Sequence, residues 1–461
     1  MMSVWNGKHL VILGAARQGL ALAKYLVRHG AQVTITDQKD RNDLQQVMEE
    51  IQESGIKWVL GGHPLDLLDT ADSVAVSGGI PLEIPIIREA RRREIPLTND
   101  SQIFLELAPC PVIGITGSAG KTTTTLLVGK MAAFAFGKSR TWVGGNIGNP
   151  LISDVDQMRE DHIAVVELSS FQLELMAISP GVACILNVTP NHLDRHGSME
   201  AYTRAKARIL EYQCKSDIAI LNRDDPGSWG LRDQVQGKLI TFGRGKPGEG
   251  LQGTYLDGEW IKFWDGEDGN DLVPLSSIQL RGEHNQLNVL AACAIASAAG
   301  LPDNAIRQGA AALAGVEHRL EFVRSWGGAD WFNDSIATAP ERSIAAIKAF
   351  EEPLVLLAGG RDKDLPWDDF ARLVLDRVRA VVCFGEAADL IESALQAALR
   401  PGEEMLSIRK CQGLQAAVRE AANIIEKGDV VLLSPGGTSF DEFVDFAERG
   451  EMFRKWVSKL S

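Results

Sequence analysis

The most informative stretch of the chain reads Val112-Ile-Gly-Ile-Thr-Gly-Ser-Ala-Gly-Lys-Thr-Thr-Thr-Thr125. An apolar run with the character of a β-strand ends at Thr116, a glycine-framed loop follows, and a run compatible with a helix begins at Lys121. A helix N-terminus behind such a loop presents backbone N–H groups and the positive end of the helix dipole to an anion. The stretch therefore predicts a site for the phosphates of a nucleotide.

The loop is shorter than the common G-x-x-x-x-G-K-[ST] pattern, because Ile115 stands where that pattern has glycine. It nevertheless keeps Gly120 for a flexible backbone, Lys121 as a cation for the β- and γ-phosphates, and Thr122 as a hydroxyl for Mg²⁺. The alternative is a glycine-rich turn between a strand and a helix, with Lys121 at the surface. The strand before the loop and the helix after it favour the phosphate site.

Length and composition exclude several classes of protein. A chain of 461 residues is too long for one core and suggests about three domains. The net charge of −14 argues against a nucleic-acid-binding face. No apolar run reaches the roughly 18 residues of a membrane span, and the N-terminus lacks the regions of a signal peptide. The six cysteines are scattered, without metal-type pairing. We expect a globular protein of the cytoplasm.

Residues 9–100 alternate strand-like and helical runs, which predicts a doubly wound parallel sheet. The turn Gly14–Gly19 resembles a dinucleotide fingerprint, and Asp37 ends the second strand as an acid does in that motif. Ala16 replaces the middle glycine, so the turn indicates a nucleotide-like ligand without specifying NAD. The turn Ser77-Gly78-Gly79 ends a further strand, either as part of a ligand crevice or as a plain turn.

A second domain begins near Pro109 and carries polar groups at its strand ends. Glu167 ends a buried apolar strand, where a carboxylate is costly unless it is paired or holds a cation, so we expect a metal contact. The segment Asn187–His196 places two histidines and an aspartate past another strand end, and a functional role is favoured over a structural one. Spacing alone places Lys206 on a helix as an ordinary solvated lysine.

Residues 245–280 indicate an antiparallel excursion or loops. An alanine-rich helix follows, and Asn285 and Asn288 on its first turns could cap it or contact a base. From about Glu317 the alternation of strands and helices predicts another parallel sheet with helices on both faces. Three α/β domains with ligand-type turns at their strand ends suggest a multi-substrate enzyme that closes over a central cleft.

Taken together, the motifs resemble one family along nearly the whole chain, the Mur ligases of peptidoglycan synthesis. Their joint order and spacing are far more specific than any single motif. The motifs are Thr116–Thr123, Gly144–Gly148, Glu167–Glu174, Asn187–His196, Gly282–Asn285, Glu317–Arg319, Asn333–Ser335 and Leu433–Pro435. Within the family, Glu167–Leu173, Ser434–Phe443 and Phe446–Gly450 resemble the members that add glutamate to UDP-N-acetylmuramoyl-L-alanine.

The resemblance implies three α/β domains: a Rossmann-like UDP-substrate domain over 1–108, a central P-loop ATPase-type domain over 109–316 with a mostly parallel sheet, and a Rossmann-like amino-acid domain over 317–461. It implies that ATP, UDP-N-acetylmuramoyl-L-alanine and glutamate are converted to the dipeptide product, ADP and phosphate through an acyl phosphate. The cofactor would be Mg²⁺ or Mn²⁺. We expect a monomer that binds no nucleic acid and has no membrane span.

Matching positions imply roles for individual residues. The catalytic groups are Lys121, His192, Lys206 and Asn146. The ATP-binding residues are Gly117, Ser118, Ala119, Gly120, Lys121, Thr122 and Thr123 for the phosphates, and Asn285, His318, Arg319 and Asp334 for the base and ribose. The metal ligands are Thr122, Glu167, His192 and Lys206, with Lys206 carbamylated. The muropeptide-precursor residues are Ala16, Arg17, Asp37, Gln38, Ser77, Gly78, Gly79 and Ser169. The glutamate residues are Thr338, Lys363, Ser439, Phe440 and Phe446.

One position departs from the family pattern. The glutamate ligases commonly read N-D-S-K-A-T-N where this chain reads Asn333-Asp-Ser-Ile336-Ala-Thr-Ala-Pro340, so Ile336 removes a cation. We expect D-glutamate as the substrate, and an L-glutamate-adding variant stays open. A different Mur or folylpolyglutamate-type ligase, an NAD-dependent protein that uses Gly14–Gly19, and a non-catalytic nucleotide-binding scaffold are also compatible with parts of the pattern.

Overall fold

The computed structural model describes residues 4–51, 55–313, 315–400 and 406–460, with the side chains of Glu50 and Asp194 left out. Three separate sheets of mostly parallel strands, with helices between the strands, form the described chain. This confirms the predicted α/β class with three sheet-based parts. None of the helices in the described ranges is long and apolar enough to cross a membrane.

The first sheet has five parallel strands. Its strands are β1 (His9–Leu13), β2 (Gln32–Asp37), β3 (Ile56–Leu60), β4 (Ser73–Val76) and β5 (Leu97–Thr98). Its helices are α1 (Arg17–Arg28), α2 (Gln45–Glu50), α3 (Pro85–Arg92) and α4 (Asp100–Leu107). The spatial order β3-β2-β1-β4-β5 reverses direction between β1 and β4. A crevice for ligands forms at such a switch point, and the turns Gly14–Ala16 and Ser77–Gly79 follow these two strands.

The second sheet has nine strands and carries the glycine loop. Its strands are β6 (Val112–Thr116), β7 (Thr141–Gly145), β8 (Ile163–Glu167), β9 (Val182–Ile185), β10 (Ile218–Asn222), β11 (Lys238–Phe242), β12 (Gln252–Asp257), β13 (Trp260–Trp264) and β14 (Gly269–Pro274). Its helices are α5 (Lys121–Phe136), α6 (Ser170–Leu173), α7 (Leu193–His196), α8 (Met199–Glu211), α9 (Pro226–Trp229), α10 (Glu283–Ala298) and α11 (Asp303–Ala311). The spatial order is β14-β13-β12-β11-β10-β9-β6-β8-β7.

Only β13 and its two neighbours pair antiparallel in this sheet, so residues 245–280 form the predicted antiparallel excursion. Strand β6 lies between β9 and β8, and all three run parallel. Their carboxyl ends therefore share one edge, and the segments after Thr116, Glu167 and Ile185 start side by side. This topology gathers the polar groups that the sequence placed at three separate strand ends.

The third sheet has six strands. Its strands are β15 (Glu321–Trp326), β16 (Ala329–Asn333), β17 (Leu354–Gly359), β18 (Val378–Phe384), β19 (Ser407–Cys411) and β20 (Val430–Gly436). Its helices are α12 (Pro340–Ile347), α13 (Asp368–Arg377), α14 (Ala388–Ala398), α15 (Leu414–Ile424) and α16 (Phe446–Ser458). The order is β15-β16-β20-β17-β18-β19, and only β15 with β16 is antiparallel. The central strands are apolar runs buried along their whole length, as expected of a sheet covered on both faces.

The three sheets belong to two compact units. Residues 1–277 with 287–312 form the first unit, which holds the first two sheets, and residues 278–286 with 313–461 form the second. One apolar core in the first unit contains Leu10 and Ile12 of β1 as well as Val166 of β8 and Ile185 of β9. The domain boundaries predicted at 108/109 and 316/317 stay predictions.

Arg449 holds the carboxyl edge of the third sheet together. Its side chain is fully buried in α16 and donates to Oγ and the backbone oxygen of Ser335, at 3.0 and 2.8 Å, and to the backbone oxygen of Gly437 at 3.1 Å. All three acceptors are uncharged, and burial lowers the pKa of the guanidinium to about 10. The ends of β16 and β20 are thus tied to one helix by one planar cation.

Replacing Arg449 by Lys should destabilise the second unit by about 3 kcal/mol, because one ammonium cannot reach three acceptors in different directions and the buried charge loses partners. Calorimetric melting of the variant measures this loss. The control is Arg419→Lys on the exposed side of α15, which should change stability by less than about 0.5 kcal/mol. Equal melting of the two variants would contradict the role of Arg449.

Candidate functional site

The glycine loop lies at the carboxyl edge of the second sheet, between β6 and α5. Gly120 immediately precedes α5 with φ of +81°, a conformation that glycine adopts without strain. A Cβ at this position would lie 2.2 Å from Oδ1 of Asn288. Gly120 is therefore required both by its backbone conformation and by a close neighbour, which explains why the shortened loop keeps this glycine.

Side chains from the segment after β9 and from α8 support the loop. Asn187 accepts from the backbone N–H of Ala119 through Oδ1 at 2.8 Å and donates back to the carbonyl of Ala119 through Nδ2 at 3.1 Å. Ser118 donates through its hydroxyl to the carbonyl of Thr189 at 2.9 Å and accepts from the phenol of Tyr202 at 3.0 Å. These hydrogen bonds within the protein fix the shape of the loop. The sequence indicated Asn187 only as part of a motif.

Two ammonium groups converge on one backbone oxygen of the loop. Nζ of Lys121 and Nζ of Lys206 each donate to the carbonyl of Gly117 at 2.9 Å. Lys206 is 1% exposed, and burial lowers its pKa well below the ordinary value, with a further lowering from the charge of Lys121 and an opposing effect of Glu167. The ammonium of Lys121 and the N–H groups at the start of α5 give this pocket a positive character, which suits a polyphosphate.

The interpretation of Lys206 as a solvated surface lysine is wrong. Spacing places it on a helix rich in basic residues, but the face of α8 that carries it packs toward β6, with Nζ 4.7 Å from the centre of the Tyr202 ring and 3.5 Å from Oγ1 of Thr116. Burial of an amine in this way favours its neutral form, the form that reacts as a nucleophile.

Glu167 is the buried carboxylate of the site. It is 1% exposed and accepts from the hydroxyl of Thr122 at 2.8 Å and from Nδ2 of Asn146 at 2.9 Å. The oxygens of Glu167 and Thr122 are the hard donors that Mg²⁺ prefers. No cluster of three or more His, Cys, Asp or Glu suited to a metal occurs among the described residues. Mg²⁺ is commonly held by one or two carboxylates together with substrate phosphates.

His192 precedes α7 with φ of +53°, and its ring packs edge-on against Phe171 at 5.2 Å. His196 stacks on the same ring, and its Nε2 forms a hydrogen bond of 3.0 Å with the hydroxyl of Ser170. Both histidines therefore contact Phe171, His196 is half-buried and His192 is exposed. The metal role of His192 stays a prediction, and the side chain of Asp194 lies outside the described part.

In the first sheet, Asp37 stabilises the turn that follows β1. Its two carboxylate oxygens accept from the backbone N–H of Ala15 at 2.7 Å and from that of Lys39 at 2.9 Å. The hydroxyl of Ser77 donates to the carbonyl of Gly14 at 3.2 Å. Asp37 thus stabilises the turn through its carboxylate, and the N–H of Ala15, which donates to Asp37, is not available to a pyrophosphate. This arrangement weakens the dinucleotide interpretation of the fingerprint.

The predicted precursor residues of the first two sheets lie close together. Nη2 of Arg17 donates to the carbonyl of Asn146 at 3.0 Å, and Nη1 of Arg195 donates to the carbonyl of Gly79 at 3.1 Å. Ser169 begins α6 with a capping box, so its hydroxyl has a structural role as well. Gln38 and Ala16 are exposed, and Gly78 is half-buried. Arg195 was not among the predicted site residues.

The residues predicted for the base and ribose all lie in the second unit. Asp334 is buried, accepts from the hydroxyl of Ser434 at 2.9 Å, and has its pKa raised to about 7 by desolvation. His318 adopts φ of +61° and bonds Nδ2 of Asn333 through Nδ1 at 3.0 Å. Asn285 is also buried, lies within the first turn of α10, and donates to the carbonyl of Arg281 at 2.7 Å. Arg319 is half-buried.

The residues predicted for glutamate follow β16, β17 and β20 at one edge of the third sheet. Ser439 is buried and Thr338 half-buried, whereas Lys363, Phe440 and Phe446 are exposed. Phe440 is 61% exposed, an unusual position for a large apolar ring. The edge thus combines an exposed cation with exposed rings, which suits a ligand with a carboxylate and an aliphatic chain.

Replacing Gly120 by Ala should weaken the binding of ATP about 10- to 100-fold, because the methyl group meets Asn288 and the left-handed conformation is strained. Calorimetric titration with a non-hydrolysable ATP analogue measures the change. Gly137→Ala is the matched control, since Gly137 ends the same helix with φ of +90° and nothing within 4 Å of its would-be Cβ. The control should cost about 1–3 kcal/mol of stability and leave the affinity unchanged.

Three family models match most of the chain. Residues 8–99 match the Mur ligase MurD-like N-terminal domain, residues 115–296 the Mur ligase middle domain, and residues 318–437 the Mur ligase, glutamate ligase domain.

Two full-length relatives are named UDP-N-acetylmuramoylalanine–D-glutamate ligase. That of Symbiobacterium thermophilum is 39% identical, with 100% of both chains covered, and that of Pelotomaculum thermopropionicum is 37% identical, with 100% of this chain and 99% of the relative covered.

The fold also matches a solved structure. The UDP-N-acetylmuramate-alanine ligase of Thermotoga maritima superimposes with a TM-score of 0.60 at 19% identity, over 98% of this chain and 100% of that structure. Because sequence, domain models and fold agree along the whole chain, the protein belongs to the Mur ligase family of ATP-dependent ligases.

Proposed function

We propose that this protein joins D-glutamate to UDP-N-acetylmuramoyl-L-alanine, with ATP as the energy source, in the synthesis of peptidoglycan precursors. The observation that carries the proposal is the convergence of Lys121 and Lys206 on the Gly117 carbonyl beside the Glu167 carboxylate. Such a site suits the transfer of a phosphoryl group. The names of relatives that match the chain over its whole length support the choice of substrates.

The reaction has two steps. A carboxylate oxygen of the alanyl group attacks the γ-phosphorus of ATP, an O–P bond forms, and ADP leaves. The amine of glutamate then attacks the acyl carbon, the C–N bond forms, the C–O bond breaks, phosphate leaves, and the amine loses a proton. Lys121 neutralises charge that develops on the transferred phosphoryl group, and the helix N-terminus behind Gly120 does the same through its N–H groups.

The residues around Glu167 would hold Mg²⁺. When bound, the ion polarises the phosphoryl oxygens and neutralises their charge. Thr122 and Glu167 would hold the ion: the hydroxyl of Thr122 lies within hydrogen-bond distance of one oxygen of Glu167, and Asn146 fixes the other oxygen. His192 and Lys206 are further proposed ligands, and Mn²⁺ is a proposed substitute for Mg²⁺ on the basis of the same hard donor set.

Lys206 is proposed to carry a carbamate. A carbamate forms when the neutral amine attacks CO₂, with formation of an N–C bond and loss of a proton, and burial of Lys206 favours this neutral form. The product carries a negative charge and two oxygens in place of an ammonium group. It would relieve the repulsion between Lys206 and Lys121 and add a carboxylate-like donor to a site that has one buried carboxylate.

D-glutamate is favoured over L-glutamate because the full-length relatives are named for the D-enantiomer. Ile336 is half-buried, and its backbone N–H donates to the carbonyl of His318 at 3.1 Å. Nη1 of Arg342 donates to the carbonyl of Ile336 at 3.3 Å, so a cation still lies beside this position. The loss of the usual lysine therefore does not favour the L-enantiomer.

Family membership argues against an NAD-dependent protein and a non-catalytic scaffold, and the match of the first domain argues against a folylpolyglutamate-type ligase. We further propose that the protein acts as a monomer in the cytoplasm. Its six cysteines are all free, and four of them are buried, which suits a reducing compartment.

The purified protein should release phosphate from ATP only when both the muropeptide precursor and D-glutamate are present, and L-glutamate should not replace the D-enantiomer. A coupled phosphate assay measures this requirement. Lys121→Ala should lower kcat by about 10²–10³-fold, since a cation that acts in the transition state is lost. Lys130→Ala, on the exposed side of the same helix, is the control. Phosphate release without an amino acid, or preference for L-glutamate, would overturn the assignment.

Incubation with ¹³C-bicarbonate should produce a carbamate signal in the ¹³C NMR spectrum at pH 7 that is absent from Lys206→Ala and present in Lys215→Ala, a change at an exposed lysine. The physical reason is that a lysine of ordinary pKa is protonated at this pH and cannot attack CO₂. Lys206→Ala should also lose activity and regain part of it with added acetate or formate. A wild-type spectrum without the signal would rule out the carbamate and leave the ligase assignment intact.

A further inference from the structure

A cavity of about 500 Å³ lies at the amino edge of the second sheet, opposite the glycine loop. It is lined by the first residues of three parallel strands, Val112 of β6, Ile163 of β8 and Val182 of β9. Strand β6 begins at the cavity and ends at the loop five residues later, a distance of about 17 Å. The cavity is therefore separate from the phosphate and metal site, and its volume is that of a small-molecule pocket.

Most of the cavity wall is apolar. Leu105 near the end of α4, Phe136 at the end of α5 and Ala299 directly after α10 contribute to it. Three helices thus end at this cavity, and each presents the negative end of its dipole there. Glu160 and Asp161 add two carboxylates. This surrounding disfavours phosphates and other anions and favours an uncharged or cationic apolar molecule.

His162 provides a directional donor in the wall. It is 8% exposed, and its Nδ1 accepts from Nε1 of Trp142 at 3.0 Å and from the backbone N–H of Arg159 at 3.3 Å. Because Nδ1 is an acceptor, the proton of the neutral ring is on Nε2. Nε2 lies 3.9 Å from Oδ1 of Asp161, too far for a hydrogen bond. A donor and an acceptor therefore lie side by side without satisfying each other.

Asp161 is held at the edge of the cavity. Its Oδ2 pairs with Nη1 of Arg140 at 3.5 Å in an exposed ion pair. The other carboxylate oxygen, Oδ1, is the one that lies near His162. A ligand that accepts from Nε2 of His162 and donates to Oδ1 of Asp161 needs an acceptor and a donor on adjacent atoms. A ring nitrogen beside an exocyclic amino group has this pattern, and its flat apolar body matches the walls lined by Phe136 and Ala299.

We propose that this cavity is a binding site for an amino-substituted heteroaromatic ring without a phosphate group. The proposal rests on His162, Asp161 and the apolar walls, and it is independent of the ligase activity proposed above. It adds a second ligand site to the first unit, on the opposite edge of the sheet from the nucleotide.

The probe for the test is 2-aminoquinazoline, with 2-methylquinazoline as the analogue of the same shape that lacks the donor. The full-length protein is saturated with a non-hydrolysable ATP analogue, so that the base-binding site cannot take up the probe. Calorimetry should give a submillimolar Kd for 2-aminoquinazoline and binding at least about tenfold weaker for the methyl analogue. In the same titration, the indole N–H signal of Trp142 should shift, because its acceptor His162 contacts the ligand.

Two variants locate the probe. Asp161→Ala should weaken binding about tenfold by removing the acceptor, and Ala299→Leu should weaken it at least as much by placing a bulkier side chain in the cavity wall. Asp233→Ala, a change at an acid of which 83% is exposed, is the control and should bind as the wild type does. The Trp142 signal of the wild type keeps the test decisive if Ala299→Leu fails to fold. Absence of binding, equal binding of the methyl analogue, or an unmoved Trp142 signal would overturn the proposal.

Discussion

Lys121 and Lys206 donate to the same backbone oxygen, that of Gly117, and this shared acceptor is the interaction on which the site depends. Two ammonium groups so close repel each other, and one of them is buried, which raises the free energy of its charged form. The repulsion between the two lysine side chains is relieved when a negatively charged group lies beside them. Phosphate oxygens can replace the Gly117 carbonyl as partners of Lys121, and a carbamate would change the sign of Lys206.

The strand order explains how this arrangement can exist. Strand β6 lies between β8 and β9, so the glycine loop, Glu167 and Asn187 emerge at one edge, although 68 residues separate Ala119 of the loop from Asn187. Helix α8 then packs across the same edge and inserts Lys206 and Tyr202. The opposite edge of the sheet collects strand starts and helix ends instead, and there the molecule has an apolar cavity with acidic neighbours. The edge with the glycine loop thus suits a negatively charged ligand, and the opposite edge of the same sheet suits an uncharged or positively charged ligand.

Much of the fold was predictable from local patterns. The alternation of apolar runs with helical stretches predicted parallel sheets. The composition of residues 245–280 indicated either an antiparallel excursion or loops, and the structure has the antiparallel strands. The glycine loop was predictable because it directly follows an apolar strand and precedes a helix. Glu167 was predictable because it is the last residue of a buried strand, where a carboxylate is costly unless it is paired or holds a cation. The prediction for Lys206 from spacing was wrong, since a lysine among other basic residues has the same local pattern whether it faces water or a sheet.

What the sequence by itself determined is the class of chemistry: a phosphate loop, strand-end carboxylates and a set of motifs in the order of one ligase family. These features are local, since each depends on residues adjacent in the chain. The tertiary structure alone decided the burial of Lys206, the support of the loop by Asn187, the close approach of Asn288 to Gly120, the use of Asp37 to hold its own turn, and the His162 cavity. Each of these depends on which distant segments become neighbours, and a lysine or histidine acquires its charge state from those neighbours and not from its position along the chain.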